Sequence, residues 1–214
     1  MMCLTNRSDK DKHNFDEQSY SVGAEYSLNL TDYLELSTLG GMLFEKEAML
    51  GLNGMGGFAI DDSSTYYMGL KAKLNLTNNI SLMASYYRGY TSGSKSNMLS
   101  ISNLETESFM LSGEYSFNNK DKIGLMIRSP MSVVKGNASM MYSTGRDNYS
   151  DTAYLNKLKT SLRPDAREYD LGMYFRSNPN DDLGLSGKVE ARFNADGQEG
   201  LVDYIGVVGV HYSF

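Results

Sequence analysis

From Gln18 onward the chain alternates. Tyr20, Val22, Ala24, Tyr26, Leu28 and Leu30 stand against Ser19, Ser21, Gly23, Glu25, Ser27 and Asn29, a period of two. The pattern returns where Tyr66, Met68, Leu70, Ala72, Leu74 and Leu76 oppose Thr65, Tyr67, Gly69, Lys71, Lys73 and Asn75. It returns again with Leu183, Leu185, Val189, Ala191 and Phe193 against Asp182, Ser186, Lys188, Glu190 and Arg192. In the final segment Val202, Tyr204, Val208, Val210, Tyr212 and Phe214 oppose Asp203, His211 and Ser213. Globular strands usually run roughly five or six residues. Repeated amphipathic strands twice that length match the roughly 9 to 11 tilted residues of a membrane β-crossing. About eleven strands are predicted, near 18–30, 33–44, 64–76, 79–91, 106–117, 122–128, 138–144, 153–162, 167–176, 182–194 and 202–214.

Periodicity does not say which face points inward, and a soluble sandwich or lipocalin-like barrel would bury the apolar one. A polar face carrying Glu25, Lys71, Lys73, Lys188, Glu190, Arg192 and Asp203 suits a hydrated lumen as well as a soluble surface. Loop lengths favour the membrane. Links at 30–32, 77–78 and 118–120 are tight while those at 45–63 and 92–104 are long, the alternation of periplasmic turns and external loops. Tyr20, Tyr33, Tyr66, Tyr90, Tyr115, Phe117, Tyr169, Phe193, Tyr204, Tyr212 and Phe214 fall near strand ends, where barrels carry aromatic girdles, although these residues are also good strand formers. The fold class expected is all-β, an antiparallel up-and-down transmembrane β-barrel over 18–214, preceded by a polar tail or loop over 1–17. With the tight turns periplasmic, the first and last strands both descend; since single-chain barrels have even strand numbers, the parent is expected to have about twelve.

Composition removes competing classes. Hydrophobic residues make up 41% of the chain and no window approaches the roughly 18 apolar residues of a membrane helix. Tyrosine and glycine are abundant, at 16 and 21, which leans towards sheet. A net charge of -6, with both signs mixed along the chain, offers no electrostatic footprint for nucleic acid. Cys3 is the only cysteine and cannot form an internal disulfide. No export signal precedes the strands, so the chain is expected to be the tail of a longer precursor.

Four segments carry a family likeness: the glycine-rich Leu50-Gly51-Leu52-Asn53-Gly54-Met55-Gly56-Gly57-Phe58 with the later strand 80–91; Asp121-Lys122-Ile123-Gly124-Leu125-Met126-Ile127-Arg128-Ser129-Pro130-Met131; Leu162-Arg163-Pro164-Asp165-Ala166-Arg167-Glu168-Tyr169-Asp170-Leu171; and the terminal Val208-Gly209-Val210-His211-Tyr212-Ser213-Phe214. Together, over about the last 195 residues, they resemble the C-terminal translocator barrel of autotransporters whose passenger is a subtilisin-like serine protease. Ala166 departs from the family's usual glycine, which raises the question of a positive φ there. The resemblance implies a barrel in the outer membrane of a Gram-negative bacterium that lets its own N-terminal passenger reach the surface. Its implied partners are membrane lipid, the passenger in cis, and the barrel-insertion machinery, which would read the terminal Tyr212 and Phe214. About twelve strands give a backbone radius of about 12 Å, so a passenger would cross unfolded.

No catalytic, cofactor or metal site is read in this chain. His13 lies in the polar tail and His211 on the lumen side of its strand, neither beside a nucleophile elbow. No Cys or His pair has metal-ligand spacing, and Gly51–Gly57 precedes no Lys-Ser/Thr pair. Asp61-Asp62 and Asp181-Asp182 read as solvated loop acids. The residues singled out are a lumen cluster of Arg128, Arg167, Glu168, Asp170, Glu190 and Arg192, because charges facing a lumen must be paired or hydrated; these are expected to hold the barrel's shape. A plain pore or surface-binding barrel, using the loops 45–63 and 92–104, is the alternative to passenger export.

Overall fold

The computed structural model describes residues 2–7, 19–118, 120–147, 149, 153–179 and 183–212, with the backbone alone for Met2–Arg7. The strands in chain order are β1 Met2–Arg7, β2 Ser19–Asn29, β3 Leu34–Glu45, β4 Ala48–Met49, β5 Leu52–Asn53, β6 Ser63–Asn75, β7 Ile80–Thr91, β8 Ser94–Lys95 and β9 Leu99–Ile101. They continue with β10 Leu104–Ser116, β11 Asp121–Lys135, β12 Asn137–Arg146, β13 Ala153–Ser161, β14 Tyr169–Ser177, β15 Leu183–Phe193 and β16 Val202–Tyr212. Ten of them form one antiparallel sheet in the order β1-β2-β3-β6-β7-β10-β11-β14-β15-β16.

The sheet is polar on its buried side and apolar on its exposed side. Among the described residues only Met49, Ile60, Leu104 and Ala195 are buried hydrophobics, whereas Ser37, Glu45, Ser63, Thr65, Ser85, Thr91, Thr106, Ser112, Asp170 and Glu190 are buried on the strands' inner face. The opposite face exposes Tyr66, Met68 and Leu70 on β6, Leu125 and Ile127 on β11, Leu171, Met173 and Phe175 on β14, and Val208 and Val210 on β16. A soluble β-sandwich has the reverse arrangement, so the outward apolar face requires lipid. Two aromatic belts border that face. Tyr20, Tyr66, Tyr90, Tyr169, Phe193 and Tyr204 are exposed at one end of the strands, and Tyr33, Tyr115, Phe117 and Tyr212 at the other. Phe214 lies outside the described residues.

The tight turns share a device. Thr31 Oγ1 accepts from the N–H groups of Tyr33 and Leu34 at 3.2 and 3.1 Å, and Thr77 Oγ1 from those of Asn79 and Ile80 at 3.2 and 3.0 Å. Asn118 Oδ1 accepts from Lys120 and Asp121, both at 2.7 Å. A short side-chain acceptor at the first turn position replaces a backbone partner, which is why Thr and Asn stand there.

Two elements differ from the sequence reading. Nine of the eleven expected crossings lie in the large sheet, but β12 and β13 pair with β9 and β8 in a separate four-stranded sheet at the long-loop end. Neither face of β13 is apolar throughout, since Lys157 and Lys159 share one with Leu155 while Asn156 and Thr160 share the other with Tyr154 and Leu158. The tenth strand is β1, drawn from the expected polar tail, pairing with Ser19–Ala24 of β2. Among the described residues β1 and β16 do not pair with each other.

Candidate functional site

Strand register places one residue from each of eight neighbouring strands in a single inward row: Ser37, Lys71, Ser85, Met110, Arg128, Asp170, Arg192 and Asp203. Its last four members alternate in sign. Arg128 Nε donates to Asp170 Oδ2 at 2.8 Å, Arg192 Nε lies 4.0 Å from Asp170 Oδ1, and Arg192 Nη1 lies 3.6 Å from Asp203 Oδ2. Opposite charges side by side across strands stabilise a sheet, and fully buried Asp170 requires such a partner.

Arg128 also spans two strands. Its Nη2 donates to Glu190 Oε1 on β15 at 2.7 Å. The β14 residue opposite Glu190 is Gly172, so no side chain stands in the path. Lys188 pairs with the other oxygen of Glu190. Above this group Arg192 Nη2 reaches Glu168 Oε1 at 2.8 Å and Asp196 Oδ1 at 3.2 Å, and Glu168 Oε2 accepts the Asp196 N–H at 2.7 Å. The loop after β15, with Asn194 and Asp196 at φ 53° and 55°, is thereby tied to the wall.

Five of the six residues singled out from sequence, Arg128, Glu168, Asp170, Glu190 and Arg192, therefore form one connected network on the inner wall. Arg167 does not join it. Its guanidinium lies over Phe109 at 5.2 Å, donates from Nε to Ser129 Oγ at 2.8 Å, and is 3.5 Å from Glu107, all on the outward face. Arg167 and Glu168 lie just before β14, and the alternation of that strand already holds there, with Arg167 directed outward and Glu168 inward. Ala166 is absent from the positive-φ residues, and its N–H donates to Gly197 O at 3.1 Å, so the turn there needs no glycine.

Each end of the wall has its own structure. At the short-turn end Glu114 accepts from Lys122 at 2.9 Å and from Tyr174 Oη at 3.3 Å, bordering a polar cavity of about 510 Å³ that Lys73, Asn79 and Ser81 also line. At the long-loop end three loops are joined into a cap. Inward Glu45 accepts the N–H groups of Leu50 and Gly51 at 2.7 and 2.8 Å. Asp61 N–H donates to Ser94 Oγ at 2.8 Å, Met98 N–H to Gly57 O at 2.9 Å, and Met141 N–H to Met98 O at 2.8 Å. Met49 and Ile60 pack on inward Leu104, with Leu99, Ile101 and Leu162 around them. The sequence reading missed this cap; its signal was the Met, Leu, Gly, Phe and Ile content of loop 46–62 and the short apolar stretch Met98, Leu99 and Ile101 in an otherwise Ser- and Asn-rich loop 92–103.

No protein-family model matches the chain, and no curated protein matches it. The crystal structure of the Pseudomonas putida toluene transporter TodX superposes with a TM-score of 0.55 at 13% identity, over 92% of this chain and 61% of TodX. The chain thus spans about three fifths of the TodX chain. An engineered protein studied for asymmetric conductivity and a mutant of the Rh. blastica porin align at 10% identity with TM-scores of 0.17, too low to carry argument. The TodX likeness and the outward apolar face agree on one statement: the chain has the fold of an outer-membrane β-barrel.

Proposed function

We propose that the barrel passes small solutes across the outer membrane beneath the cap formed by its long loops. The observation that carries this reading is the tying of loops 46–62, 92–103 and 136–162 to one another and to inward rim residues Glu45 and Leu104. A cap with its own apolar core restricts what reaches the polar wall, as a selective mouth must. The test is conductance in planar bilayers. Wild type is expected to give small, infrequent openings, and Glu45→Ala larger and longer ones. A wild type that conducts nothing, together with an equally silent Glu45→Ala barrel, would remove the reading.

Export of an N-terminal passenger is the second reading, favoured by the four segments that resemble autotransporter barrels. In it the barrel-insertion machinery reads the terminal strand, of which outward Tyr212 is the last described aromatic. A reporter fused ahead of Met1 behind an export signal is expected to become accessible to protease on whole cells. Deletion of Phe214 is expected to lower the amount of assembled barrel several-fold. A reporter that stays protected while the barrel assembles normally would leave the solute reading alone.

A further inference from the structure

Among the described side chains of the ten-stranded sheet, the outward face is uncharged except at two places: Asp121 beside a short turn, and a cluster at the long-loop end of β7, β10 and β11. The cluster consists of Arg88, Glu105, Glu107, Lys135 and the adjoining Arg167. Arg88 and Glu107 are directly paired in register, as are Glu105 and Lys135. Arg88 Nη2 binds Glu105 at 2.7 Å and Lys135 Nζ binds it at 3.0 Å. Glu107 stands between two guanidiniums without satisfying either, 3.7 Å from Arg88 Nη1 and 3.5 Å from Arg167 Nη1. Arg88 Nε and Arg167 Nη2 are both buried and lack a hydrogen-bond partner. Each guanidinium lies 5.2 Å from an aromatic ring, Arg88 over Tyr90 and Arg167 over Phe109.

The Arg88 and Arg167 side chains are nevertheless 34% and 27% exposed, so part of each guanidinium faces outward, where in a bilayer only a polar group outside the chain can accept from it. Three cations against two carboxylates leave one net positive charge. The planar fork of arginine fits phosphate oxygens, and the rings beneath fix both forks in place. The rows just below, with Tyr86 and Phe109 and then Ala84 and Leu111, carry no charge, so the cluster marks the border of the lipid band at the end with long loops, the external one. We propose that Arg88 and Arg167 bind a phosphate group of an outer-leaflet glycolipid at this border.

The experiment refolds the full chain in neutral detergent and adds either lipid A or its enzymatically dephosphorylated form, with retained lipid counted by native mass spectrometry. Wild type is expected to retain the phosphorylated lipid at least about tenfold more strongly than the dephosphorylated one. Arg88→Gln with Arg167→Gln should abolish the preference, while Lys157→Gln on the remote β13 should leave it intact. Equal retention of the two lipids by wild type would overturn the proposal without recourse to any variant. Displacement of the lipid by millimolar inorganic phosphate would also overturn it, assigning the cluster to a soluble anion.

Discussion

Asp170 and Gly172 stand two positions apart on β14 and do opposite things for the same arginine. Asp170, 0% exposed, takes Arg128 Nε directly, while Gly172 leaves the path by which Nη2 reaches Glu190. Burying a carboxylate is unfavourable by itself, and removing its charge strands the cation that was matched to it. Asp170→Asn is expected to destabilise the refolded barrel by about 1–3 kcal/mol, the lower range because the Arg128 side chain is 38% exposed. At Gly172 an added Cβ would stand 3.1 Å from the Met126 side chain. Gly172→Val is therefore expected to cost about 1–3 kcal/mol as well, by pushing Met126 and Arg128 together. Urea unfolding in detergent, followed by circular dichroism, checks both; an unchanged midpoint for Asp170→Asn would mean the network contributes nothing to stability. At this scale the sequence was informative where parity could be applied. Asp170, Glu190 and Arg192 are at even positions on strands whose even residues face inward, and Glu168 keeps the same parity just before β14. Arg167 is at an odd position, so the same rule puts it outside the lumen cluster expected from sequence, against Phe109 and Ser129.

At the scale of elements, what was legible was the long alternating strand, because helices and loops do not sustain a clean period of two over about ten residues. Nine crossings follow from it. The strands β12 and β13 were misread because their strand propensity is real while their alternation is not: a hairpin with mixed faces can pair in water above the membrane but cannot face lipid. The cap was invisible because its tertiary contacts join loops far apart in sequence, Gly57 to Met98 and Met98 to Met141. The two faces of one strand offer a direct check on the membrane assignment. Leu82 on β7 points outward and its neighbour Met83 inward. Leu82→Arg is expected to cost roughly 2–4 kcal/mol, as for an arginine near the middle of the bilayer, whereas Met83→Arg enters hydrated space and should cost no more than about 1 kcal/mol. Equal costs would mean that the sheet has no lipid face. For the cap, Glu45→Ala removes the acceptor of two backbone N–H groups, so trypsin should cut at Lys46 faster while the heat-shifted gel band of the barrel is retained.

For the whole molecule the governing fact is that lipid supplies no hydrogen-bond partners, so a sheet in a bilayer cannot leave an edge open. The described strands leave two. β16 pairs only with β15 and is exposed on both faces, Val207 at 55% and Val208 at 82%. At the other edge β1 covers only Ser19–Ala24 of β2, leaving Glu25–Asn29 without a neighbour on that side. Ten antiparallel strands make an even number, and β1 and β16 run in opposite directions, so they can meet as antiparallel neighbours in one closed ring. Closure within one chain satisfies both edges without bringing two barrels together, and it is the expected state in detergent micelles. Cys3 is the chain's only thiol, which makes the test simple. With Val207→Cys added on β16, a short thiol-reactive crosslinker should join the two positions within one chain, giving a single monomeric band of altered mobility whose yield does not depend on protein concentration. A crosslinked dimer whose yield rises with concentration would mean instead that each edge pairs with another copy, and the lumen would then be shared between subunits rather than enclosed by one.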